Sequence, residues 1–437
     1  MKNAFLTIWF LIVCTDFLRA QPFNPALAAE FQQTIDSLRI DQNLKGISAC
    51  VIYPGEGTWK GVTGISEEGV PISTEMVFGI GSNTKLFTGV LILKLIEDNL
   101  LLIQDSLHEY LPSFTNIDST ITLFQLLHQT SGLDDVLNVP GYQDSMLTDP
   151  NRVFTAEELM TWIGTPLFEP GAGWNYCNTN YLLAGMIAES VTNQSYNELL
   201  HSYILDTLQL DSTYLGVYDT ADVVLAHPWQ NEINTITLPR TSILSAAWSA
   251  GAMYSTSGEM ARWYQALMGG EVLSPQAFAM MTNFIGSGNY GIGISEMTVD
   301  GRTVWLHGGS IWGGYNSSMM YDTETGIIIC VLINQFPAEA SLVATALLNA
   351  EVNTPVSMQA STSIQHELIL YPNPAYDWLT IDTQGQQLEL VQIHAATGEL
   401  VCEGTTTNFS IAHLSAGVYV VHVRTNLGIW CRKFTKY

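Results

Sequence analysis

Basic residues are scarce in this chain. It has 437 residues, with 15 lysines and arginines against 41 aspartates and glutamates, and a formal net charge of -26 at pH 7. A surface with this excess of negative charge repels phosphate backbones, so we do not expect a nucleic-acid partner. We interpret the acidity as a source of solubility rather than as a site for a cationic partner.

Patterns that hold metals are missing as well. The six cysteines and nine histidines form no C-x-x-C or H-E-x-x-H motif, which are spacings that zinc sites commonly use. We therefore predict no metal site. The sequence also lacks a G-x-S-x-G elbow, which argues against the α/β-hydrolase fold.

Long apolar runs are absent after the N-terminus. The chain begins MKNAFLTIWFLIVCTDFLRA, in which one lysine precedes an apolar run and Ala20 is a small residue suited to cleavage. This pattern is typical of a signal peptide, which we assign to residues 1–20. No later segment offers the ~20 uncharged apolar residues of a spanning helix. We therefore expect an exported protein with no transmembrane segment.

The rest of the chain divides into two parts joined by a linker. Residues 21–352 have the strand-like runs ISACVIYPG and GIIICVLIN near their two ends and helical stretches between them. This order predicts an α+β domain whose sheet joins both ends. Residues 353–366 are polar and rich in Ser and Thr, as linkers are. Residues 367–437 hold short alternating strands between turns, which predicts a small all-β sandwich.

The stretch GIGSNTKLFT places Lys85 three residues after Ser82, where an apolar helix begins. Positions i and i+3 share one face of a helix. Serine needs a neighbouring base to act as a nucleophile, and burial among apolar residues lowers the pKa of a lysine. The pair is a candidate nucleophile and proton acceptor. Taken alone, the motif is better explained by a helix cap and a surface lysine, but the apolar run that follows favours a buried helix with Lys85 pointing inward.

A second candidate pair lies in PGAGWNYCNTNYLLAG, where Tyr176 and Asn178 follow a constrained loop. Residues two apart in an extended loop project to the same side. A tyrosine there can exchange a proton with Lys85, and an asparagine can bond both the lysine and a substrate carbonyl. The alternative is a packed aromatic residue beside a loop asparagine.

A third segment, TVWLHGGSIWGGYNSSMMYD, holds His307, Gly308, Gly309 and Ser310. We expect a strand to end at His307 and the two glycines to let the backbone approach a ligand closely. The amide of Ser310, with that of Ser82, is a candidate oxyanion hole. The alternatives are a hydrogen-bonded histidine at a strand end and a glycine turn.

Together, Ser-x-x-Lys, Tyr-x-Asn and a basic residue followed by glycine, in this order, resemble the serine β-lactamase-like superfamily. The nearest branch is that of class C β-lactamases, D-alanyl-D-alanine carboxypeptidases and related esterases. The segments ITLFQLLHQTSGL, SAGAMYSTSGEMARWYQALMGG and NYGIGI are similar to that branch as well. The resemblance covers about residues 30 to 349. It implies a β-lactamase/transpeptidase-like fold, with an antiparallel sheet and a helical subdomain.

The resemblance also implies a role for each candidate. Ser82 is the acylated nucleophile and Lys85 is its proton partner. Tyr176 acts as general base and then as acid, while Asn178 orients Lys85 and the substrate. His307 takes the place of the third-motif lysine and keeps the tyrosine reactive.

The same resemblance places the oxyanion between the N–H groups of Ser82 and Ser310, with Gly308 and Gly309 beside the substrate. It requires neither a metal nor an organic cofactor. Trp312, together with Tyr315, Tyr290 and Trp248, is expected to line an aromatic pocket or to pack in the core.

The third motif departs from the Lys-Thr/Ser-Gly pattern of penicillin-recognising enzymes, because it reads His307-Gly308-Gly309. It lacks the hydroxyl and the fixed charge that grip a substrate carboxylate. We therefore predict a secreted serine hydrolase acting on a small ester or amide, peptide-like substrate. The alternatives are a D-alanyl-D-alanine carboxypeptidase or class C β-lactamase activity, and a catalytically silent, ligand-binding relative.

The tail carries a resemblance of its own. YPNPAYDWLTI, HLSAGVYVVHV and the terminal CRKFTKY are similar to the C-terminal sorting domain of bacterial type IX secretion. This implies that the secretion machinery is a partner and that the protein is secreted or held at the cell surface by way of the outer membrane. The alternative is a carbohydrate-binding or adhesin-type sandwich.

Overall fold

The computed structural model describes residues 23–139, 141–219, 222–353, 369–371, 375–383, 388–395, 400–425 and 428–436. The predicted signal peptide, and the predicted linker apart from residue 353, lie outside these residues. The chain divides into two compact units between residues 355 and 356. The predicted domain boundaries stay predictions.

The first unit alternates helices and strands. Over the described residues its helices are α1 Pro25–Asp41, α2 Thr84–Glu97, α3 Leu123–Leu127, α4 Tyr142–Thr148, α5 Ala156–Met160, α6 Asn178–Thr192, α7 Tyr196–Leu200, α8 Asp206–Leu208, α9 Thr241–Gly251, α10 Ser257–Met268, α11 Pro275–Met281 and α12 Ala340–Asn353. Its strands are β1 Gly46–Tyr53, β2 Gly57–Glu67, β3 Val70–Pro71, β4 Phe78–Gly79, β5 Tyr214–Leu215, β6 Trp229–Gln230, β7 Ile233–Asn234, β8 Met253–Ser255, β9 Ser295–Val299, β10 Arg302–Ile311, β11 Tyr315–Asp322, β12 Ile328–Ile333 and β13 Gln335–Phe336.

The main sheet has seven strands in the order β3-β2-β1-β12-β11-β10-β9, and every pairing is antiparallel. Strand β1 pairs with β12, so the two ends of the unit meet in the middle of the sheet as the sequence predicts. Two small sheets, β13-β6-β7 and β4-β8-β5, lie outside it.

The two faces of the main sheet bury different helices. On one face, α1 and α12 pack on alternate residues of the central strands, such as Ile47 and Val331. On the other face, Cys50 and Cys330 join a larger core that includes α2, α6 and α10. Period-two alternation along β1 and β12 produces this division, because successive side chains of a strand point to opposite faces.

Helix α2 lies at the centre of the larger core. Its residues from Thr84 to Leu93 are buried, and it contacts α6, α9 and α11. A helix that is apolar on all sides is typical of the interior of a large unit. Lys85 lies in the first turn of this buried helix, where a lysine is unusual.

The second unit is a two-sheet sandwich. Its strands are β14 Ile369–Tyr371, β15 Trp378–Asp382, β16 Leu388–Ala395, β17 Leu400–Gly404, β18 Asn408–Ser410, β19 Gly417–Thr425 and β20 Gly428–Lys436. The orders are β14-β15-β18 and β17-β16-β19-β20. Leu379 and Ile381 of one sheet share a core with Ile393 and Val421 of the other. The predicted fold class, an antiparallel sheet with helices followed by a small all-β sandwich, is confirmed.

One local expectation is wrong. The strand that we expected to end at His307 runs on to Ile311, and Gly308 and Gly309 pair with Ser318 and Ser317 of β11. The glycines do not form a turn. A Cβ at Gly309 would lie 1.9 Å from the carbonyl oxygen of Ile80, so glycine is needed there for close packing of two backbones.

Candidate active site

Ser82 lies in a short 3-10 turn, Gly81–Asn83, that connects β4 to α2. Gly81 has a φ of 54°, and a Cβ on it would lie 2.6 Å from the backbone nitrogen of Ser310. Glycine therefore lets this turn approach strand β10 directly. The close approach brings the backbones around Ser82 and Ser310 together, as the predicted oxyanion hole requires.

Lys85 is fully buried and its ammonium group is held by three oxygens. Nζ donates to Ser82 Oγ at 3.1 Å, to Asn178 Oδ1 at 2.7 Å and to the carbonyl of Ala250 at 2.7 Å. Burial lowers the pKa of Lys85 to about 7, although the negative charge of Asp135 acts in the opposite direction. A large share of Lys85 is therefore neutral near pH 7 and able to accept a proton.

The carbonyl of Ala250 reaches Lys85 because α9 is broken at Trp248. This residue has a φ of 29° and a ψ of -119°, far from helical values. After the break, the Ser249 carbonyl accepts from Thr88 Oγ1 at 2.6 Å, one turn along α2 from Lys85. The unusual backbone turns two carbonyls toward α2, and strain of this kind often accompanies functional sites.

Tyr176 lies against the same ammonium group. Lys85 Nζ is 4.9 Å from the centre of the Tyr176 ring. Burial raises the pKa of Tyr176 well above its usual value, and contact with the Ser82 hydroxyl opposes the rise. That contact falls short of a well-aligned hydrogen bond, and the buried Tyr176 oxygen has no hydrogen-bond partner among the described residues. The phenol is thus protonated near neutrality and has capacity for a substrate or water.

Asn178 connects Lys85 to an acidic residue that the sequence analysis missed. Its Oδ1 accepts from Lys85, and its Nδ2 donates to Asp135 Oδ2 at 2.8 Å. Asp135 is 7% exposed, and it also accepts from Asn138 Nδ2 at 3.0 Å and from the backbone N–H of Leu137 at 3.1 Å. These bonds fix the amide of Asn178 with its oxygen toward the lysine.

His307 lies beside Tyr176 but bonds elsewhere. The two ring centres are 6.1 Å apart, whereas His307 Nε2 is 3.0 Å from the Tyr290 hydroxyl. Nδ1 lies 2.6 Å from the carbonyl of Gly308, and a carbonyl only accepts, so Nδ1 carries the proton and Nε2 accepts from Tyr290. Burial, with the charge of Lys85, lowers the pKa of His307 to about 4. The imidazole is therefore neutral near pH 7.

A cavity of 340 Å³ opens beside Ser82, and Asn178 and Ser310 also line it. Much of the remaining wall is apolar, and it includes Leu137, Tyr142, Met146, Ile243, Ile311 and Trp312. None of the described residues that line it is charged. Of the four aromatic residues that the sequence singled out, Trp312 lines this cavity, whereas Trp248, Tyr290 and Tyr315 are buried in the large core.

The described residues contain no cluster of three or more His, Cys, Asp or Glu side chains placed to hold a metal ion. Within the same residues, no helix is long and apolar enough to span a membrane.

The antiparallel sheet with its helical half, and the serine–lysine pair between them, define a protein of the β-lactamase/transpeptidase-like class. The chain belongs to the beta-lactamase family, whose family model matches residues 31–354. The tail, residues 369–436, matches the model of the secretion system C-terminal sorting domain. Both resemblances that the sequence indicated are thus confirmed.

Curated relatives match part of the chain. Protein flp of Staphylococcus aureus (strain MW2) is 32% identical over 201 residues, which is 43% of this chain and 39% of that protein. The putative penicillin-binding protein PbpX of Bacillus subtilis (strain 168) is 28% identical over 220 residues, or 49% of this chain and 52% of that protein. The chain therefore spans between about two fifths and half of these relatives.

Solved structures are matched over nearly their whole length. A D-stereospecific amidohydrolase from Streptomyces sp. is 27% identical, with a TM-score of 0.65, and the match covers 74% of this chain and 98% of that one. A D-amino acid amidase from Ochrobactrum anthropi SV3 is 24% identical, with a TM-score of 0.67 over 75% of this chain and 99% of that one. The amidase likeness supports the fold alone.

Proposed function

We propose that this protein is an exported serine hydrolase that forms an acyl-enzyme at Ser82 and acts on an ester or amide, peptide-like bond. The observation that carries the proposal is the convergence on Lys85 Nζ. Ser82 Oγ lies 3.1 Å and Asn178 Oδ1 2.7 Å from this nitrogen, and the ring of Tyr176 lies against it. Tyr176 and Asn178 come from a segment about 90 residues away from Ser82 and Lys85.

The pKa directions suggest how the protons move. Lys85, with a pKa of about 7, is the group able to accept the Ser82 proton near neutrality, whereas the phenol of Tyr176 is held protonated by burial. We therefore assign the first proton acceptance to Lys85 and the proton donation to Tyr176. The family resemblance alone gave the tyrosine both roles.

Acylation then follows in balanced steps. Ser82 Oγ attacks the substrate carbonyl carbon and its proton passes to Lys85. The negative oxygen of the tetrahedral intermediate lies toward the N–H groups of Ser82 and Ser310. Tyr176 protonates the departing oxygen or nitrogen as the bond to carbon breaks, and it regains a proton from Lys85. Water attacks the acyl-enzyme by the reverse transfers and frees Ser82.

The likeness to a D-stereospecific amidohydrolase, which is 27% identical, supports an amide substrate. The alternative, a carboxypeptidase or β-lactamase activity, is favoured by the likeness to a penicillin-binding protein. It is disfavoured by His307, which is neutral near pH 7 and bonded to Tyr290, so it offers no charge to a carboxylate.

Export follows from the tail. A C-terminal sorting domain indicates recognition by the secretion machinery, so we place the mature protein outside the outer membrane, either free or at the cell surface.

The test is covalent labelling of the folded protein with a fluorophosphonate and with a fluorescent penicillin. We compare wild type with Ser82→Ala and with Ser190→Ala, an exposed serine on α6. Labelling by the fluorophosphonate alone, lost in Ser82→Ala and kept in Ser190→Ala, supports an esterase or amidase. Labelling by both probes supports the penicillin-recognising alternative. No labelling of a folded protein supports the silent relative.

A further inference from the structure

Arg240 lies beside the active-site cavity and has no acidic partner among the described residues. Its Nη2 donates to the carbonyl of Gly313 at 2.6 Å and to Thr235 Oγ1 at 3.1 Å. Its Nε and Nη1 are buried and have no hydrogen-bond partner among the described residues. The guanidinium carbon also lies 5.2 Å from the centre of the Tyr315 ring.

The unpaired nitrogens set Arg240 apart from the other arginines. Among the described residues, Arg152, Arg262 and Arg302 each form an ion pair with Asp or Glu, whereas Arg39 and Arg240 form none. The Nε of Arg39 donates to Thr63 Oγ1 at 3.1 Å, but the Nε of Arg240 has no partner there. Removing a charge from water without a counter-charge is costly. An anion that binds to Arg240 would supply the missing partner.

Arg240 lines a small cavity that adjoins the cavity beside Ser82. The small cavity has a volume of 150 Å³, and three of its lining residues, Met146, Ile243 and Trp312, line the larger one as well. Of the described residues that line the two cavities, Arg240 alone is charged. A ligand that extends from Ser82 into the smaller cavity meets apolar walls and then a cation.

The site geometry assigns these cavities to one side of the scissile bond. Tyr176, the proposed proton donor to the leaving group, does not line the larger cavity, and neither does His307. If Tyr176 protonates the leaving group, as proposed above, the leaving group lies toward Tyr176 and the acyl group is left to occupy the cavities. Gly313, which accepts from Arg240, follows Ser310 by three residues, so at most roughly 10 Å of backbone separates them.

We propose that Arg240 binds a carboxylate at the far end of the acyl group, so that the preferred substrates are half-esters or half-amides of a dicarboxylic acid or acyl groups with an equivalent distal carboxylate. This inference rests on the proposed function, because it assumes an acyl-enzyme at Ser82. A guanidinium is suited to carboxylates, and the apolar walls fit the chain between the two carbonyl carbons.

The test uses p-nitrophenyl half-esters of dicarboxylic acids of increasing length. Each is compared with the same ester whose distal carboxyl is capped as a methyl ester. In wild type we expect kcat/KM for the free acid to exceed kcat/KM for the methyl ester by about 10-fold or more at one chain length. A hydrogen-bonded charge pair contributes a free energy of about that size. Arg240→Met should reduce this ratio to about one, and Arg240→Lys should retain part of it.

Arg262→Met is the matched control, because it removes a half-buried arginine that pairs with Glu271 at 2.9 Å and lines neither cavity. This variant should leave the ratio of kcat/KM between the free acid and the methyl ester unchanged. Thermal melting verifies that each variant is folded. The proposal is overturned if wild type hydrolyses the free acid no faster than the methyl ester at any acyl chain length. It is also overturned if folded Arg240→Met keeps the wild-type preference for the free acid. Hydrolysis of the capped esters tests the proposed function separately, since those esters carry no distal charge.

Discussion

Replacing Asp135 with asparagine should shift the pH at which the enzyme becomes active. The side-chain amide of Asn178 connects Asp135 to Lys85. Its Oδ1 lies 2.7 Å from Lys85 Nζ, and its Nδ2 lies 2.8 Å from Asp135 Oδ2. The two charges are thus roughly 7 Å apart, and at an effective dielectric constant of about 20 they attract by about 2 kcal/mol. This attraction opposes the effect of burial and holds the pKa of Lys85 near 7.

Removal of the negative charge therefore lowers the pKa of Lys85 by between about one and two units. If neutral Lys85 accepts the Ser82 proton, activity rises with pH through the pKa of Lys85. The acid limb of the profile should then move from near pH 7 in wild type to between about pH 5 and pH 6 in Asp135→Asn. His307 titrates near pH 4 and does not interfere in this range.

The assay is the second-order rate of fluorophosphonate labelling between pH 4.5 and 9, which needs no chromogenic leaving group. Asp134→Asn is the matched control, because Asp134 is the neighbouring acid and accepts from the N–H of Asp135 rather than from Asn178. Its limb should stay at the wild-type pH. The electrostatic reasoning would be refuted if the acid limb of the pH profile in Asp135→Asn stayed at the wild-type pH or moved to higher pH. A lower plateau alone would mean that Asp135 acts only by orienting Asn178.

Three other predictions concern neighbouring positions. Lys85→Arg should abolish detectable ester hydrolysis, because a guanidinium does not give up its proton; turnover near the wild-type rate would make Lys85 purely structural. Tyr176→Phe should lower kcat about 10²- to 10⁴-fold in steady-state assays, the usual range for a lost proton donor. Gly309→Ala should destabilise the protein by about 1–3 kcal/mol or more in denaturant melts, since its Cβ would meet the Ile80 carbonyl at 1.9 Å. Gly308→Ala is its control and should melt like wild type, because the nearest atom to its Cβ is 3.7 Å away.

The sequence predicted which residues form the site better than it predicted the hydrogen bonds between them. Ser82, Lys85, Tyr176 and Asn178 lie in local patterns of spacing and polarity, and the buried run after Lys85 indicated that its side chain points inward. Asp135 lies in SGLDDVL beside another aspartate. No local feature distinguishes the two, because the bond to Asn178 forms only when a loop folds over α6.

The errors at the third motif have a similar origin. Paired glycines usually indicate a turn, but here they lie within a central strand, and the close packing that requires Gly309 comes from a segment more than 200 residues away. The bond between His307 and Tyr290 also joins separate segments. Likewise, the cavity wall comes from α4 and α9 as well as from Trp312, and sequence periodicity does not say which helices meet at a cleft.

In our proposal, the distribution of charge gives this member of the family a substrate that differs from those of penicillin-recognising enzymes. Near Ser82 the candidate cations are Lys85, which is bonded to Ser82 and Asn178, and His307, which is neutral near pH 7. Neither provides a fixed positive charge next to the scissile bond. In our proposal that charge lies instead on Arg240, beyond an apolar wall on the acyl side. A carboxylate next to the leaving group then meets no partner, whereas one at the end of the acyl chain does. Selectivity would thus depend on the length of the acyl chain.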